Sequence, residues 1–432
     1  MFRRVDRRSF LRASIDLGFG LGLTALSGGA AFAALAESQR RSSRFQAMLN
    51  GYVASGVLGG VAGSLGYGVE PATFLAAGTL SRDSETPVDA DSLFRIMSMS
   101  KPVTGMAVMM LIEDGQIGLD QDLADFVPGF ADPRVLTDPE DSMESRPAKA
   151  RITIRQLLTH TSGLGYFSRI QGPLRAEYIK LGLVPVQMDG KSLPDVPDFE
   201  YAPDLGAFAE RLATLPLLAD PGTQWRYSMS PDLLGGVVEV ASGTTFEAFL
   251  EERLFAPLGM KSTFFTVPKS EAPRLTSLYG VRDGRADVLI DAGPSSVHLA
   301  APPFPFGGSG LLSSPRDYDL FLRMLAGEGA IGTTRVMRRE TARTAMSNLL
   351  PPGVDMSGAL VSSEGFGALG SVALSPQPDG KGPGTFGWSG GAGTTGFVDP
   401  ARGIRAAGYG QFIPASAIAF RADVPKAVYG TD

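Results

Sequence analysis

One stretch limits how this chain can fold more than any other. The segment Phe94-Arg95-Ile96-Met97-Ser98-Met99-Ser100-Lys101-Pro102 runs straight into a dense apolar segment, Val103 to Ile112, which stops at Glu113-Asp114-Gly115. The apolar run reads as a buried helix closed by a glycine cap. Pro102 falls in its first turn, where no intrahelical donor is lost. Residues three apart lie on one helical face, so Ser98 and Lys101 are expected to face the same way. Ser98 sits at the positive end of the helix dipole. This is the only Ser-x-x-Lys in the sequence. A serine hydroxyl is a weak nucleophile until a neighbour takes its proton. A lysine can do so where burial or nearby charge lowers its pKa from about 10.4. The tetrad alone is also common as a surface accident, so other stretches must carry the reading.

Composition narrows the alternatives. The chain has 432 residues, a net charge of −6 and 44% hydrophobic residues, enough for a large core. Its acidic balance and lack of a basic patch beyond the first dozen residues argue against nucleic-acid binding. There are no cysteines, which excludes disulfides, thiol nucleophiles and thiolate metal sites. The two histidines, His160 and His298, are far apart, which argues against a zinc hydrolase. No metal and no cofactor is implied.

The first 36 residues read as an address. Arg7-Arg8-Ser9-Phe10-Leu11-Arg12 is a twin-arginine signature, followed by a mildly apolar, Gly-rich stretch from Ala13 to Ala36. Ala31-Phe32-Ala33 and Ala34-Leu35-Ala36 each offer a small-x-small cleavage site. An uncleaved anchor is the competing reading, and Asp16 and the glycines weaken it. The expected partner is the twin-arginine export machinery, and the expected destination is the bacterial periplasm or beyond.

Further along, Ser38 to Val57 reads as a helix. Gly60 to Gly68 and Thr73 to Leu80 read as strands. Leu119 to Phe130 reads as a loop with half-turns. Arg151 to His160 begins extended and turns helical before Thr161-Ser162-Gly163. His160 is a candidate base, or more simply a residue tying down this turn. Residues 164–204 look like a long lid or substrate wall, with Tyr166, Phe167 and Tyr178 as lining candidates. Leu205 to Leu218, Pro231 to Ser242, Thr245 to Leu258 and Pro315 to Ala326 read as helices. Gly307-Gly308-Ser309-Gly310-Leu311 is a Gly-rich turn. Gly384 to Trp388, Thr394 to Val398 and Ile404 to Phe412 read as strands around a Gly-rich bend and the turn Asp399–Gly403.

Three stretches stand in order: Ser98-Met99-Ser100-Lys101, Tyr227-Ser228-Met229 and Trp388-Ser389-Gly390. Leu157 to Leu164, Pro221-Gly222-Thr223 and Gly387 to Pro400 accompany them. Together, from about Gly60 to about Ala415, they resemble the serine β-lactamase and penicillin-binding-protein superfamily, most closely the family VIII carboxylesterases, which are similar to class C β-lactamases. The resemblance implies an α+β, β-lactamase/transpeptidase-like fold: an antiparallel sheet flanked by helices, with a mostly helical region inserted. The α/β part is expected over 37–101 and 301–432, and the helical part over 102–300, in one hydrolase domain spanning 37–432.

The resemblance also implies roles. Ser98 matches the acylated nucleophile, Lys101 its partner, and Tyr227 the tyrosine that exchanges protons with nucleophile and leaving group. The oxyanion hole would be the backbone N–H groups of Ser98 and Gly391. Trp388 and Gly390, with Met229, Tyr166 and Phe167, would contact substrate. Two departures stand out. Trp388-Ser389-Gly390 replaces the Lys-Thr-Gly of β-lactamases, and Ser389 differs from the Trp-Gly-Gly frequent in the esterases. Met229 stands where β-lactamases and peptidases carry an asparagine that contacts substrate amides.

The expected activity is therefore cleavage of small-molecule carboxylic esters through an acyl-enzyme, preferred over β-lactams by at least about two orders of magnitude in kcat/KM. The alternatives are a β-lactamase or D-alanyl-D-alanine peptidase, an acyltransferase, and an acyl-binding sensor that stalls after acylation. A further reading fails on order. Gly387-Trp388-Ser389-Gly390-Gly391 fits the Gly-x-Ser-x-Gly elbow of α/β-hydrolases, which needs a histidine after the serine, and both histidines precede it.

Overall fold

The computed structural model describes residues 28–188, 196–357, 359–360 and 364–431. The twin-arginine motif lies outside the described residues. The chain divides into two compact units, Met1–Arg41 and Ser42–Asp432. Helix α1, Gly28–Ala54, begins in the first and ends in the second, ten residues upstream of the expected Ser38.

The larger unit is built on a seven-stranded, fully antiparallel sheet. Its strands are β1 (Gly60–Tyr67), β2 (Thr73–Gly78), β3 (Gly365–Phe366), β4 (Ser371–Val372), β5 (Phe386–Gly390), β6 (Thr394–Asp399) and β7 (Ile404–Tyr409), in the order β3-β4-β5-β6-β7-β1-β2. N- and C-terminal strands thus meet at its centre, with Ala62 opposite Tyr409 and Thr394 opposite the same Tyr409.

Alternation along these strands sends successive side chains to opposite faces. Val61, Leu65, Phe397 and Ala406 pack with Phe45 and Leu49 of α1 and with Phe420, Val424 and Val428 of the C-terminal helix Phe420–Tyr429. Ala62, Val398, Ala407 and Tyr409 belong instead to the main core, with Tyr318 and Phe321 of the helix Pro315–Ala326. Glycines allow this close packing. A Cβ on Gly408 would lie 2.5 Å from Val424, and one on Gly396 would lie 2.9 Å from Tyr318.

Helix α2, Ser100–Glu113, runs through the main core, with every residue from Ser100 to Leu111 buried. It ends as its sequence predicts, with Gly115 left-handed at φ 74. Around it lie α3 (Ile154–Leu158), α4 (Gly172–Lys180), α5 (Leu205–Ala213) and α6 (Ser230–Ser242). Thr153 caps α3 in a reciprocal capping box with Gln156. Helix α4 lies inside what reads as an unbroken loop. Gly172-Pro173 looks like a breaker pair, yet Pro173 stands at the start of the helix, where its missing donor costs nothing. The helix expected over Thr245 to Leu258 is interrupted by a π-helical turn at Glu251–Phe255. Residues 102–300 also carry a hairpin, Leu278–Arg282 with Arg285–Asp291, whose first strand pairs in parallel with Phe412–Ile413.

Candidate active site

Ser98 lies not in α2 but in the 3-10 turn Met97–Met99 that leads into it. Lys101 stands in the first turn of α2 itself, so the Ser-x-x-Lys spacing straddles the junction of the two helices. Met97, just before Ser98, is left-handed at φ 46, an uncommon state for a methionine. It is held there by burial against Leu278 and Ala392. Ser100 Oγ donates back to the Met97 carbonyl at 2.7 Å and accepts from the Leu311 N–H at 3.1 Å. Arg95 fixes the strand leading in: its buried guanidinium bonds Asp291, Ser296, the Thr276 carbonyl and Gln411. No local pattern in the sequence foretells that anchor.

The three expected residues converge. Ser98 Oγ lies 2.7 Å from Tyr227 Oη, and Lys101 Nζ donates to Ser98 Oγ at 3.2 Å. Lys101 is fully buried and also donates to the Gly308 carbonyl at 2.7 Å. Its Nζ stands 4.6 Å from the centre of the Tyr227 ring. The Gly-rich turn that supplies that carbonyl is locked to α2 by Thr104 Oγ1, which donates to the Gly307 carbonyl at 2.7 Å.

Tyr227 is set by aromatic contacts. Its ring stacks with Trp388 at 6.2 Å and an interplanar angle of 17°, and meets Tyr166 at 5.2 Å and His160 at 5.1 Å. His160 is buried behind it. Its Nδ1 is 2.9 Å from Ser228 Oγ, and its carbonyl accepts from the Arg226 N–H. Burial, and then the charge of Lys101, holds its pKa well below the usual imidazole range.

A cavity of about 790 Å³ opens over Ser98. Ser98, Gly391, Trp388, Tyr166, Phe167 and Tyr227 all line it. A Cβ on Gly391 would meet nothing within 4 Å, whereas one on Gly390 would lie 2.2 Å from Thr394 Oγ1 and 2.3 Å from the Ile96 carbonyl. Gly390 therefore acts as a close-approach position beneath the wall and is not among the residues that line the cavity. Tyr178 is buried in the core, as is Met229, the other expected substrate contact. The Met229 side chain is 0% exposed, and its N–H donates to the Gly165 carbonyl. Helix α6 begins at Ser230 and turns this side chain into the core rather than toward the cavity.

Ser389 lies on β5 opposite Thr395, with its Oγ 2.9 Å from Thr395 Oγ1. It is a strand residue in a hairpin and has no strand-to-helix elbow. Two arginines that sequence reading passed over also line the cavity: Arg169, whose guanidinium lies 5.4 Å from the centre of the Tyr227 ring, and Arg421, whose Nη1 donates to the Gly390 carbonyl at 3.5 Å. They stand far from the motifs, 71 residues after and 323 residues after Ser98, so no spacing pattern points to them.

Comparison with known proteins agrees with this architecture. Residues 45–411 match the Beta-lactamase family. The chain belongs to the beta-lactamase family. It is 32% identical over 344 residues to Esterase EstB of Burkholderia gladioli, an alignment that covers 76% of this chain and 80% of the esterase. It is 33% identical over 331 residues to an uncharacterized protein of Mycobacterium tuberculosis, covering 74% and 77% of the two chains. Among solved structures, EstCE1, described as a hydrolase with promiscuous acyltransferase activity, superposes with a TM-score of 0.73 at 25% identity. That match covers 92% of this chain and all of EstCE1. The fold is thus β-lactamase/transpeptidase-like, of the α+β class, and this family member is a serine hydrolase.

Proposed function

We propose that the chain cleaves carboxylic esters through an acyl-enzyme on Ser98. The observation that carries the reading is the position of Ser98 Oγ between Tyr227 Oη at 2.7 Å and Lys101 Nζ at 3.2 Å, at the floor of a cavity walled by Trp388, Tyr166 and Phe167. Ser98 Oγ gives its proton to the Lys101/Tyr227 pair and bonds the ester carbonyl carbon. The N–H groups of Ser98 and Gly391 hold the negative charge on the carbonyl oxygen. The pair then protonates the departing alkoxide, the acyl–oxygen bond breaks, and the alcohol leaves. Water next loses a proton to the same pair, attacks the acyl carbon and releases the acid, and Ser98 regains its proton. An alcohol in place of water gives acyl transfer at the same step. The naming of EstB as an esterase and of EstCE1 as a hydrolase with acyltransferase activity favours both outcomes. We also propose that residues 1–36 direct export by the twin-arginine machinery to the periplasm or outside, on the strength of Arg7-Arg8-Ser9-Phe10-Leu11-Arg12.

The test of the reaction is a panel of short and long p-nitrophenyl esters beside a chromogenic cephalosporin, with wild type, Ser98→Ala and Ser389→Ala. Ester turnover is expected to vanish in Ser98→Ala and to persist in Ser389→Ala. Full activity of Ser98→Ala would refute the mechanism. A cephalosporin kcat/KM equal to or above that of every ester would make the protein a β-lactamase, and a single burst without turnover would make it an acyl-binding sensor.

A further inference from the structure

Behind the cavity lies a buried carboxyl group that the reaction above does not use. Asp232 stands in the first turn of α6, five residues after Tyr227, and is 1% exposed. Its Oδ1 accepts from the Gly308 N–H at 2.9 Å. The carbonyl of that same Gly308 accepts from Lys101 Nζ at 2.7 Å. One residue, Gly308, therefore joins Asp232 to Lys101 through the two successive peptide groups on either side of its Cα. Asp232 Oδ2 is buried with no hydrogen-bond partner among the described residues. An acceptor stranded in this way costs about 1–3 kcal/mol, more when charged, and calls for an explanation.

Helix capping does not explain it. Met229 is the N-cap of α6, and no side chain caps that end. Nor is the packing incidental. A Cβ on Gly307 would lie 2.5 Å from the Pro231 carbonyl, and one on Gly308 would lie 2.9 Å from Asp232 Oδ2 and 3.3 Å from Oδ1. Two glycines in succession let the turn close on the start of α6 and on this carboxyl group.

We propose that Asp232 is a positioning residue for Lys101: it anchors Gly308, whose carbonyl holds the lysine, and it supplies the buried counter-charge to the proton Lys101 takes up. The inference rests on the reading of Lys101 and Tyr227 as the proton-transfer pair. When Ser98 loses its proton and bonds the acyl carbon, the pair gains a positive charge beside a lysine that is fully buried. A carboxylate held on the other side of Gly308 offsets that charge, and the offset ends when the proton passes to the leaving alkoxide. Asp232 forms no bond to substrate and keeps its own atoms throughout.

The surroundings suit this role. Burial pushes the Asp232 carboxyl up to about 7, while the Lys101 charge and the Gly308 N–H pull it down. The other groups around the pair are Tyr166, Tyr227, His160 and, against the Tyr227 ring, Arg169. Burial keeps the Tyr166 phenol protonated and His160 neutral.

Asp232→Asn separates the anchor from the charge, since its side-chain oxygen still accepts from Gly308. The expected result on p-nitrophenyl acetate is a kcat lower by about tenfold, the scale of one pKa unit of lost charge pairing, with KM little changed. The acid limb of kcat/KM is expected to move to lower pH, because an ammonium without its carboxylate releases its proton more readily. Gly308→Ala is the second variant, because the added methyl group would press on Asp232 before any other group. It is expected to lower kcat and move the same limb, and it decides the matter if Asp232→Asn does not fold. A wild-type kcat and an unmoved limb in the folded Asp232→Asn enzyme, or in Gly308→Ala if that enzyme does not fold, overturn the inference. Activity remaining in Ser98→Ala is a different failure, that of the Ser98 mechanism itself. An inactive Ser98→Ala beside an unaltered Asp232→Asn rejects the role of Asp232 alone.

Discussion

Replacing Tyr227 with phenylalanine removes one oxygen and leaves nearly everything else in place. The ring keeps its stacking on Trp388, its contacts with Tyr166 and His160, and its position beneath Arg169. What disappears is the 2.7 Å partner of Ser98 Oγ, leaving Lys101 at 3.2 Å as the remaining side-chain partner. A positioned proton-transfer group contributes about 10²–10⁴-fold, or roughly 3–5 kcal/mol of barrier at 1.36 kcal/mol per decade. One hydrogen bond lost to folding is worth about 1 kcal/mol. The variant is therefore expected to fold with almost unchanged stability and to lose at least about 10²-fold in kcat on a p-nitrophenyl ester, with KM little altered. Lys101→Ala should fall by a similar factor. The double variant should be scarcely worse than either single one, because groups acting as a unit do not add. Stopped-flow kinetics on the four proteins, with urea melts alongside, measures all of this. A Tyr227→Phe enzyme within about threefold of wild type, or rate losses in the double variant that multiply, would refute the paired role.

Two further predictions concern folding and export. Asp220 is bonded by Arg146 at 2.7 and 3.0 Å and by the Lys149 N–H, and its carboxyl is pulled down to about 2, chiefly by the Arg146 hydrogen bonds. A carboxyl group whose folded pKa is depressed contributes stability above its unfolded value of about 3.9 and loses it as pH falls toward 2. The stability deficit of Asp220→Asn in urea should then be full at pH 7 and smaller at pH 3, and a deficit equal at both would reject the assignment. Replacement of Arg7 and Arg8 by lysines should hold the protein in the cytoplasm of a twin-arginine-competent host, and unchanged periplasmic activity would reject the export reading.

How much of this was legible in the sequence depended on how far each signal reached along the chain. The turn residues that flank them located β1, β2, β6 and β7 to within three residues, because those turns are written locally in the chain. The apolar run located α2, and its glycine cap located its end. The short strands β3 and β4 have two residues each and no period to read. The 3-10 turn under Ser98 depends on Met97 adopting a left-handed backbone, which nothing in a methionine announces and which packing alone enforces. Trp388 was legible from its motif, whereas Arg421 was not, since it reaches the Gly390 carbonyl from a helix 31 residues later. Asp232 was passed over for the opposite reason. An aspartate in a first helical turn is common beside the helix dipole, and only the Gly308 peptide, 207 residues from Lys101, gives it another meaning.

The same distinction decides how strongly esters should win over β-lactams. The sequence argument had two parts, each worth about 1–3 kcal/mol for a substrate group left without its partner. One was Met229 in place of an asparagine. With that side chain in the core, the position offers the cavity neither an amide nor a thioether, and it cannot favour esters by contact. The other was Trp388 in place of a lysine that would meet the carboxylate of a penicillin or cephalosporin. Trp388 does line the cavity, but Arg169 and Arg421 line it too, so a carboxylate there is not without cations. The first removes a contact that would have favoured esters, and the second reduces the penalty against a β-lactam. The preference that remains comes from the aromatic wall of Trp388, Tyr166 and Phe167, which favours an apolar acyl or alcohol group without penalising a charged one outright. The expected ratio of ester to cephalosporin kcat/KM therefore falls from at least two orders of magnitude to about one, the equivalent of roughly 1.4 kcal/mol. Arg421→Leu supplies the check. If the arginines do meet the carboxylate, cephalosporin turnover drops in that variant while short-ester turnover holds, and the ratio returns toward 10²; an unchanged ratio means that Trp388 alone sets the discrimination.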